Sequence, residues 1–170
     1  MNRLVTLLVL AETPADDVAE YQPRWRSHTV DSTQYRKVFL AGTIDMGRSA
    51  DWQAALVARF RDSIGGRWLF FNPRRREFHA SPAEMEYQVA WELAHLEAAD
   101  LIVMNLLGDS RSPISLLEMG LYARSGKLFV ACSPDYYRYD NVRITCRRYG
   151  VPLYDSLTAL LDDLPQQSDE

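Results

Sequence analysis

From residue 37 onward, short apolar runs alternate with longer stretches in which apolar residues recur at helical spacing. The runs lie at 37–41, 68–71, 101–106 and 128–131, each followed by a helical pattern, and this alternation predicts βα units built around a parallel sheet. Val38-Phe39-Leu40-Ala41 and Leu101-Ile102-Val103-Met104 are apolar at every position. That is expected of strands covered by helices on both sides, so the pattern predicts a doubly wound α/β domain. Before residue 37 the pattern weakens. Residues 4–10 read as a short buried strand, and polar residues with Pro14 and Pro23 follow with little periodicity. The expected organisation is an extension over 1–36 carrying one extra edge strand, a main domain over 37–164, and a disordered tail over 165–170.

The first core helix, at about 50–63, places Trp52, Ala55, Leu56 and Phe60 on one stripe. The second, at about 83–98, is expected to turn Val89, Leu93 and Leu96 inward, with Gln88, Glu92 and His95 on an adjoining flank. Ser112 before Pro113 reads as an N-cap and first turn of a third helix, with Gly120 inside it and Ser125-Gly126 closing it. Ligands of open α/β sheets bind at the carboxyl ends of the strands. Here those ends feed the loops at 42–47, 72–76, 107–113 and 133–141.

Composition narrows the partners. The 170 residues suffice for one domain, and a formal charge of −4 argues against a nucleic-acid polymer bound by phosphate neutralisation. Two cysteines, Cys132 and Cys146, make neither a disulfide framework nor a CxxC clamp, which points to a reducing cytoplasm. No apolar run approaches the roughly 20 residues of a membrane span. His28, His79 and His95 have no metal-ligand spacing, so neither a metal nor a cofactor is expected. Tyr136-Tyr137-Arg138-Tyr139 reads as packing or subunit contact in an acidic chain.

Four places could carry chemistry, and each has a plain alternative. Glu118, among apolar residues in the first half of a helix, is either a carboxylate held for nucleophilic work or a surface glutamate between core leucines. In the loop from Gly42 to Gly47, which lacks phosphate-loop spacing, Gly42 allows close backbone approach. Asp45 there either bonds sugar hydroxyls or caps a turn. Arg74-Arg75-Arg76 is either an anion site or a solvated loop. Gln88, Trp91 and Glu92 either present an aromatic face and polar edges to a planar heterocycle or bury a tryptophan beside an exposed glutamate.

Taken in order, the segment from Val38 to Gly47, Trp52-Gln53, Asn72-Pro73-Arg74, Gln88 with Trp91-Glu92, Ala99-Asp100, Ser112-Pro113-Ile114-Ser115-Leu116-Leu117-Glu118-Met119-Gly120 and Ser125-Gly126-Lys127 resemble the nucleoside 2-deoxyribosyltransferase family, in its "like" branch. The resemblance covers about residues 37–150. It implies a flavodoxin-like domain that moves a deoxyribosyl group between nucleobases through a glycosyl ester on Glu118. It also implies Glu92 as proton donor to the leaving base, Asn141 given across a subunit interface to the sugar, and a homodimer or higher homo-oligomer. Ser112, at a position where nucleoside transferases have aspartate, implies the alternative of a 5′-monophosphate N-glycosidase. A third alternative is a nucleotide-sensing module without turnover. The substrates implied are a nucleoside or nucleoside monophosphate and a free nucleobase.

Overall fold

A computed structural model of the protein describes residues 17–164 apart from residue 78. The strand expected at 4–10 and the tail expected at 165–170 lie outside the described residues. Seven strands form one sheet: β1 (Val18–Gln22), β2 (Trp25–Arg26), β3 (Arg36–Gly42), β4 (Trp68–Phe71), β5 (Leu101–Leu106), β6 (Leu128–Cys132) and β7 (Leu153–Tyr154). Their order is β2-β1-β4-β3-β5-β6-β7, and every neighbouring pair is parallel except β1 with β2. The stretch from β4 to β7 has the 2-1-3-4-5 order of a flavodoxin-like sheet.

The sheet separates two cores because successive side chains of each strand point to opposite faces. Phe39, Ala41, Ile102, Met104 and Leu106 pack under α2 (Pro82–Ala98), α3 (Pro113–Tyr122) and α4 (Tyr139–Tyr149). Val38, Leu40, Leu101 and Val103 pack under α1 (Trp52–Ser63) and α5 (Leu157–Asp163). This double coverage accounts for the unbroken apolar runs.

Two helices sit differently from their expected stripes. In α1 the buried face is Trp52, Leu56, Val57 and Phe60, while Ala55 is exposed. In α2 only Leu96 of the three expected core residues is buried, and Val89 and Leu93 are 47% and 42% exposed. The helix is rolled so that its rings pack inward. Trp91 lies 6.3 Å from Phe39 and stacks on His95 at 4.0 Å, and His95 meets Phe71 edge-on at 4.6 Å. Rings bury more area than Val and Leu, which settles the rotation.

The edge strand comes from Val18-Ala19-Glu20-Tyr21-Gln22, pairing parallel with β4 and turning through Pro23-Arg24 into β2. Arg24 holds a left-handed φ of 62°. Its guanidinium is fastened to Glu84 at 2.7 Å and lies over the Tyr87 ring, clipping the hairpin to α2. Among the described residues, no helix is long and apolar enough to cross a membrane.

Candidate active site

Where β3 and β5 end side by side, their following loops are laced together. Gly42, with φ of 121°, stands against Asn105 so closely that a Cβ would fall 2.2 Å from the Asn105 carbonyl oxygen. The next residue, Thr43, is fully buried, and its N–H donates to that same carbonyl at 2.9 Å. The Thr43 carbonyl accepts from Trp52 Nε1 at 2.8 Å. A chain of hydroxyls begins at its side chain. Leu107 N–H donates to Thr43 Oγ1 at 3.1 Å, Thr43 Oγ1 and Ser112 Oγ are 2.7 Å apart, Ser112 Oγ and Ser110 Oγ are 2.8 Å apart, and Ser110 donates to Asp45 Oδ1 at 2.8 Å. With an amide that can only donate at one end and a carboxylate accepting at the other, each hydroxyl passes its proton one step toward Asp45.

Ser112 therefore departs from its expected capping role. It occupies the N-cap position of α3, but its φ of 41° and ψ of 55° are left-handed, and its side chain makes no cap bond. The hydroxyl faces the cluster instead. Asp45 (φ 49°) and Met46 (φ 54°) are also left-handed. A non-glycine residue held there costs on the order of 1 kcal/mol or more, and such strain gathers at functional sites. Asp45 caps no helix. The N-cap of α1 is Asp51, whose carboxylate accepts from Ala54 N–H at 3.0 Å.

Further down α3, Glu118 is 8% exposed, and among the described residues no hydrogen bond reaches its carboxyl. Burial, reinforced by the nearby charge of Glu92, pushes its pKa up to about 8. Glu92 on α2 is also raised, by burial, against the opposing effect of the Gln88 amide, whose Nε2 donates to Glu92 Oε1 at 2.7 Å and to the Pro73 carbonyl at 3.1 Å. The two carboxyls, one on α2 and one on α3, thus lie near each other. Apolar residues accompany them: Ile114 and Leu121 flank Glu118 one turn to either side, and Val89 and Met85 lie one and two turns before Glu92. All four are at least 47% exposed.

The pair can perform acid–base or nucleophilic work, since like charges in desolvated surroundings cannot both ionise easily. One then holds a proton while the other is charged.

The arginines after β4 are each engaged. Arg74 donates to the carbonyls of Ser49 at 2.8 Å, Gly47 at 3.0 Å and Ala50 at 3.2 Å. Arg75 pairs with Glu84 at 2.6 Å, and Arg76 lies 3.9 Å over the Trp25 ring. Asn141, in the first turn of α4, lines an open groove of about 320 Å³ with Leu116, Met119 and Gly120 of α3. Those residues lie on the opposite flank of α3 from Glu118. Within one chain, then, Asp45 joins Ser112 through Ser110, and Glu118 lies near Glu92, which Gln88 holds, while Trp91 packs on Phe39 and His95 and Asn141 lines a separate groove.

A family comparison matches residues 35–136 to the nucleoside 2-deoxyribosyltransferase like family. The chain belongs to that family. The matched segment spans β3 to the loop after β6 and so includes both carboxyls and the hydroxyl chain, whereas β1, β2 and Asn141 fall outside it. Family membership supports glycosyl transfer or glycosidase activity at a coarse level. Comparison with curated proteins finds no relative of the chain.

Sequence reasoning gave no role to Thr43 or Ser110, and it read Tyr136 only as packing or subunit contact. Tyr136 is 2% exposed and donates to the Arg111 carbonyl at 2.5 Å, tying the loop after β6 to the residue before Ser112. Their only signal in the sequence is position, since each lies in a loop at a strand's carboxyl end.

Proposed function

We propose that the protein transfers a deoxyribosyl group between nucleobases by double displacement at Glu118. The observation that carries this reading is the closeness of two carboxyls, the buried Glu118 and the half-buried Glu92, near enough for the charge of Glu92 to oppose ionisation of Glu118. The one proton of the pair rests on Glu118 and passes to Glu92 once substrate is bound; ionised Glu118 then attacks the anomeric carbon as the bond to the base breaks, forming a glycosyl ester, and Glu92 gives that proton to the departing base. A second base attacks the ester carbon from the face the first base left, and Glu92 takes back a proton. Retention follows from two inversions. Gln88 orients Glu92 through its amide, and Trp91 forms part of the wall beside it.

The hydroxyl chain favours a nucleoside over its 5′-monophosphate. Every hydroxyl proton of Thr43, Ser112 and Ser110 is spent inside the chain, whose outer end is the Asp45 carboxylate. With Arg74, Arg75 and Arg76 engaged elsewhere, this end of the site offers an acceptor to a sugar hydroxyl rather than donors to a phosphate. Ser112 lies six residues before Glu118, about 9 Å along the helix, so one sugar can contact both ends of this segment.

A second copy of the chain completes the site in this reading. Asn141 stands on the far flank of α3 from its own Glu118, so the sugar would be met by the partner's Asn141. The exposed apolar residues beside the carboxyls are the kind of surface that marks an interface.

The test incubates the protein with a 2′-deoxynucleoside and a different free base, with chromatography of both and mass measurement of the intact protein. Expected are base exchange and a deoxyribosyl adduct that Glu118→Ala lacks. Accumulation of free deoxyribose without exchange would replace transfer by hydrolysis, and turnover confined to the 5′-monophosphate would overturn the nucleoside reading. Binding of ligand with no turnover at all would leave a sensing module.

A further inference from the structure

We infer that Arg74 is a positioning residue that holds the loop between β3 and α1 in its left-handed form and thereby presents the Asp45 carboxylate to the site. Three consecutive residues, Asp45, Met46 and Gly47, have φ of 49°, 54° and 82°. A segment of this kind persists only where its surroundings over-determine it. Within the loop, Ser49 Oγ donates to the Ile44 carbonyl at 2.9 Å and Arg48 Nε to the Asp45 carbonyl at 3.2 Å; from outside it, the chief restraint is one guanidinium.

Arg74 reaches across from the loop after β4 and forms a fork over three carbonyls in four residues: Gly47 at 3.0 Å, Ser49 at 2.8 Å and Ala50 at 3.2 Å. It also lies 3.4 Å from Ser49 Oγ, 3.5 Å from Gln53 Oε1 and 3.6 Å from an Asp51 carboxylate oxygen. Its side chain is only 12% exposed. A planar, five-donor cation suits a set of converging carbonyls, whereas an ammonium can satisfy only part of it.

The fork is itself anchored. Arg74 N–H donates to Asn72 Oδ1 at 3.0 Å, and Asn72 Nδ2 donates to Glu20 Oε1 of β1 at 2.8 Å. Asn72 N–H also donates to the Tyr21 carbonyl at 2.8 Å. The edge strand outside the family match thus buttresses the loop through Asn72 and Arg74. At the far side, Ser110 fixes Asp45 Oδ1. Held from both sides, the carboxylate keeps one oxygen for the hydroxyl chain and the other for substrate.

The kinetic arm of the test rests on the proposed glycosyl transfer; the exchange arm does not. In the full chain, Arg74→Ala and Arg74→Lys are compared with wild type by hydrogen exchange. The probes are the amides of Gly47 and Arg48, which donate to the Ile44 and Asp45 carbonyls at 2.9 and 3.1 Å. Expected is exchange about tenfold faster in Arg74→Ala, intermediate in Arg74→Lys, and partly restored in Arg74→Ala by millimolar guanidinium, with the β5 amides unchanged. With a 2′-deoxynucleoside, KM should rise about tenfold while kcat stays within about threefold.

Unchanged protection at Gly47 and Arg48 in Arg74→Ala would overturn the inference. So would a loss of affinity confined to a nucleoside 5′-monophosphate or inorganic phosphate with the loop still protected, since Arg74 would then be an anion ligand. If Arg74→Ala exposes β5 as well, Arg74→Lys decides by the same amides. A wild type without turnover would sink the proposed function, yet leave the exchange result to decide on Arg74.

Discussion

Glu92 of α2 stands near enough to Glu118 of α3 for its charge to oppose ionisation of Glu118. Burial alone would raise both, and their proximity makes the second ionisation harder than the first. A pair of this kind supplies one proton donor and one charged group from two chemically similar side chains.

The rate should follow from this pair. If the reaction needs one proton on the pair, kcat/KM of the free enzyme falls with pH along a limb near 8, where that proton leaves. Glu92→Gln removes the neighbouring charge but leaves the burial, so Glu118 ionises at lower pH and the residual rate, about 100-fold or more below wild type for want of the acid, rises with pH along that shifted limb. A pH–rate profile of both proteins checks it, and a limb that stays in place would show that the two carboxyls do not interact.

Stability should respond to the same group. Folded Glu118 keeps its proton up to about pH 8, against an ordinary value of 4.5. Between those values the folded state binds more protons than the unfolded chain, so stability falls as pH rises through the window and levels off above it. Glu118→Gln cannot ionise and should remove a penalty of a few kcal/mol at pH 9 while changing little at pH 4. Thermal melts at the two pH values measure it. A variant no more stable than wild type at pH 9 would mean that Glu118 ionises freely.

Much of this was readable in the sequence. Trp68–Phe71 and Leu101–Leu106 appear as strands because they are apolar throughout and bounded by breaks in the pattern. The Glu118 helix announced itself by its Ser-Pro start. The rest was decided by contacts distant in sequence. Ser112 has the residue type of a cap, yet Thr43 and Ser110 take its hydroxyl. The roll of α2 depends on Phe39 and Phe71, which no periodicity within α2 encodes. Strand β1 is five residues and β7 only two, too short for alternation to stand out. Arg74 has the composition of an anion site, and only the fold shows its guanidinium spent on carbonyls.

Close approach of two backbones makes Gly42 the least replaceable residue of the β3 terminus. In Gly42→Ala the new methyl must displace the Asn105 carbonyl of a paired central strand at a φ that alanine rarely adopts. A loss of about 3 kcal/mol or more is expected, or a melting temperature lower by about 10 °C. Gly47→Ala is the control for backbone strain alone, since a Cβ there meets nothing within 4 Å. Similar losses in both would assign the effect to φ rather than to the approach of β5.

Sharing of sites between copies can be tested with two variants that each fail for a different reason. Glu118→Gln lacks the nucleophile, whereas Asn141→Ala lacks the group proposed to reach the neighbouring sugar, and each homodimer should be nearly inactive. Co-refolded in equal amounts, half of the dimers pair one of each. In such a dimer, the Asn141→Ala chain supplies Glu118 and receives the partner's Asn141, so one of its two sites is whole. Activity should recover to about a quarter of wild type, as expected for an isologous two-fold pair. If Asn141 instead served its own chain, no pairing would assemble a complete site and the mixture would stay as inactive as its components.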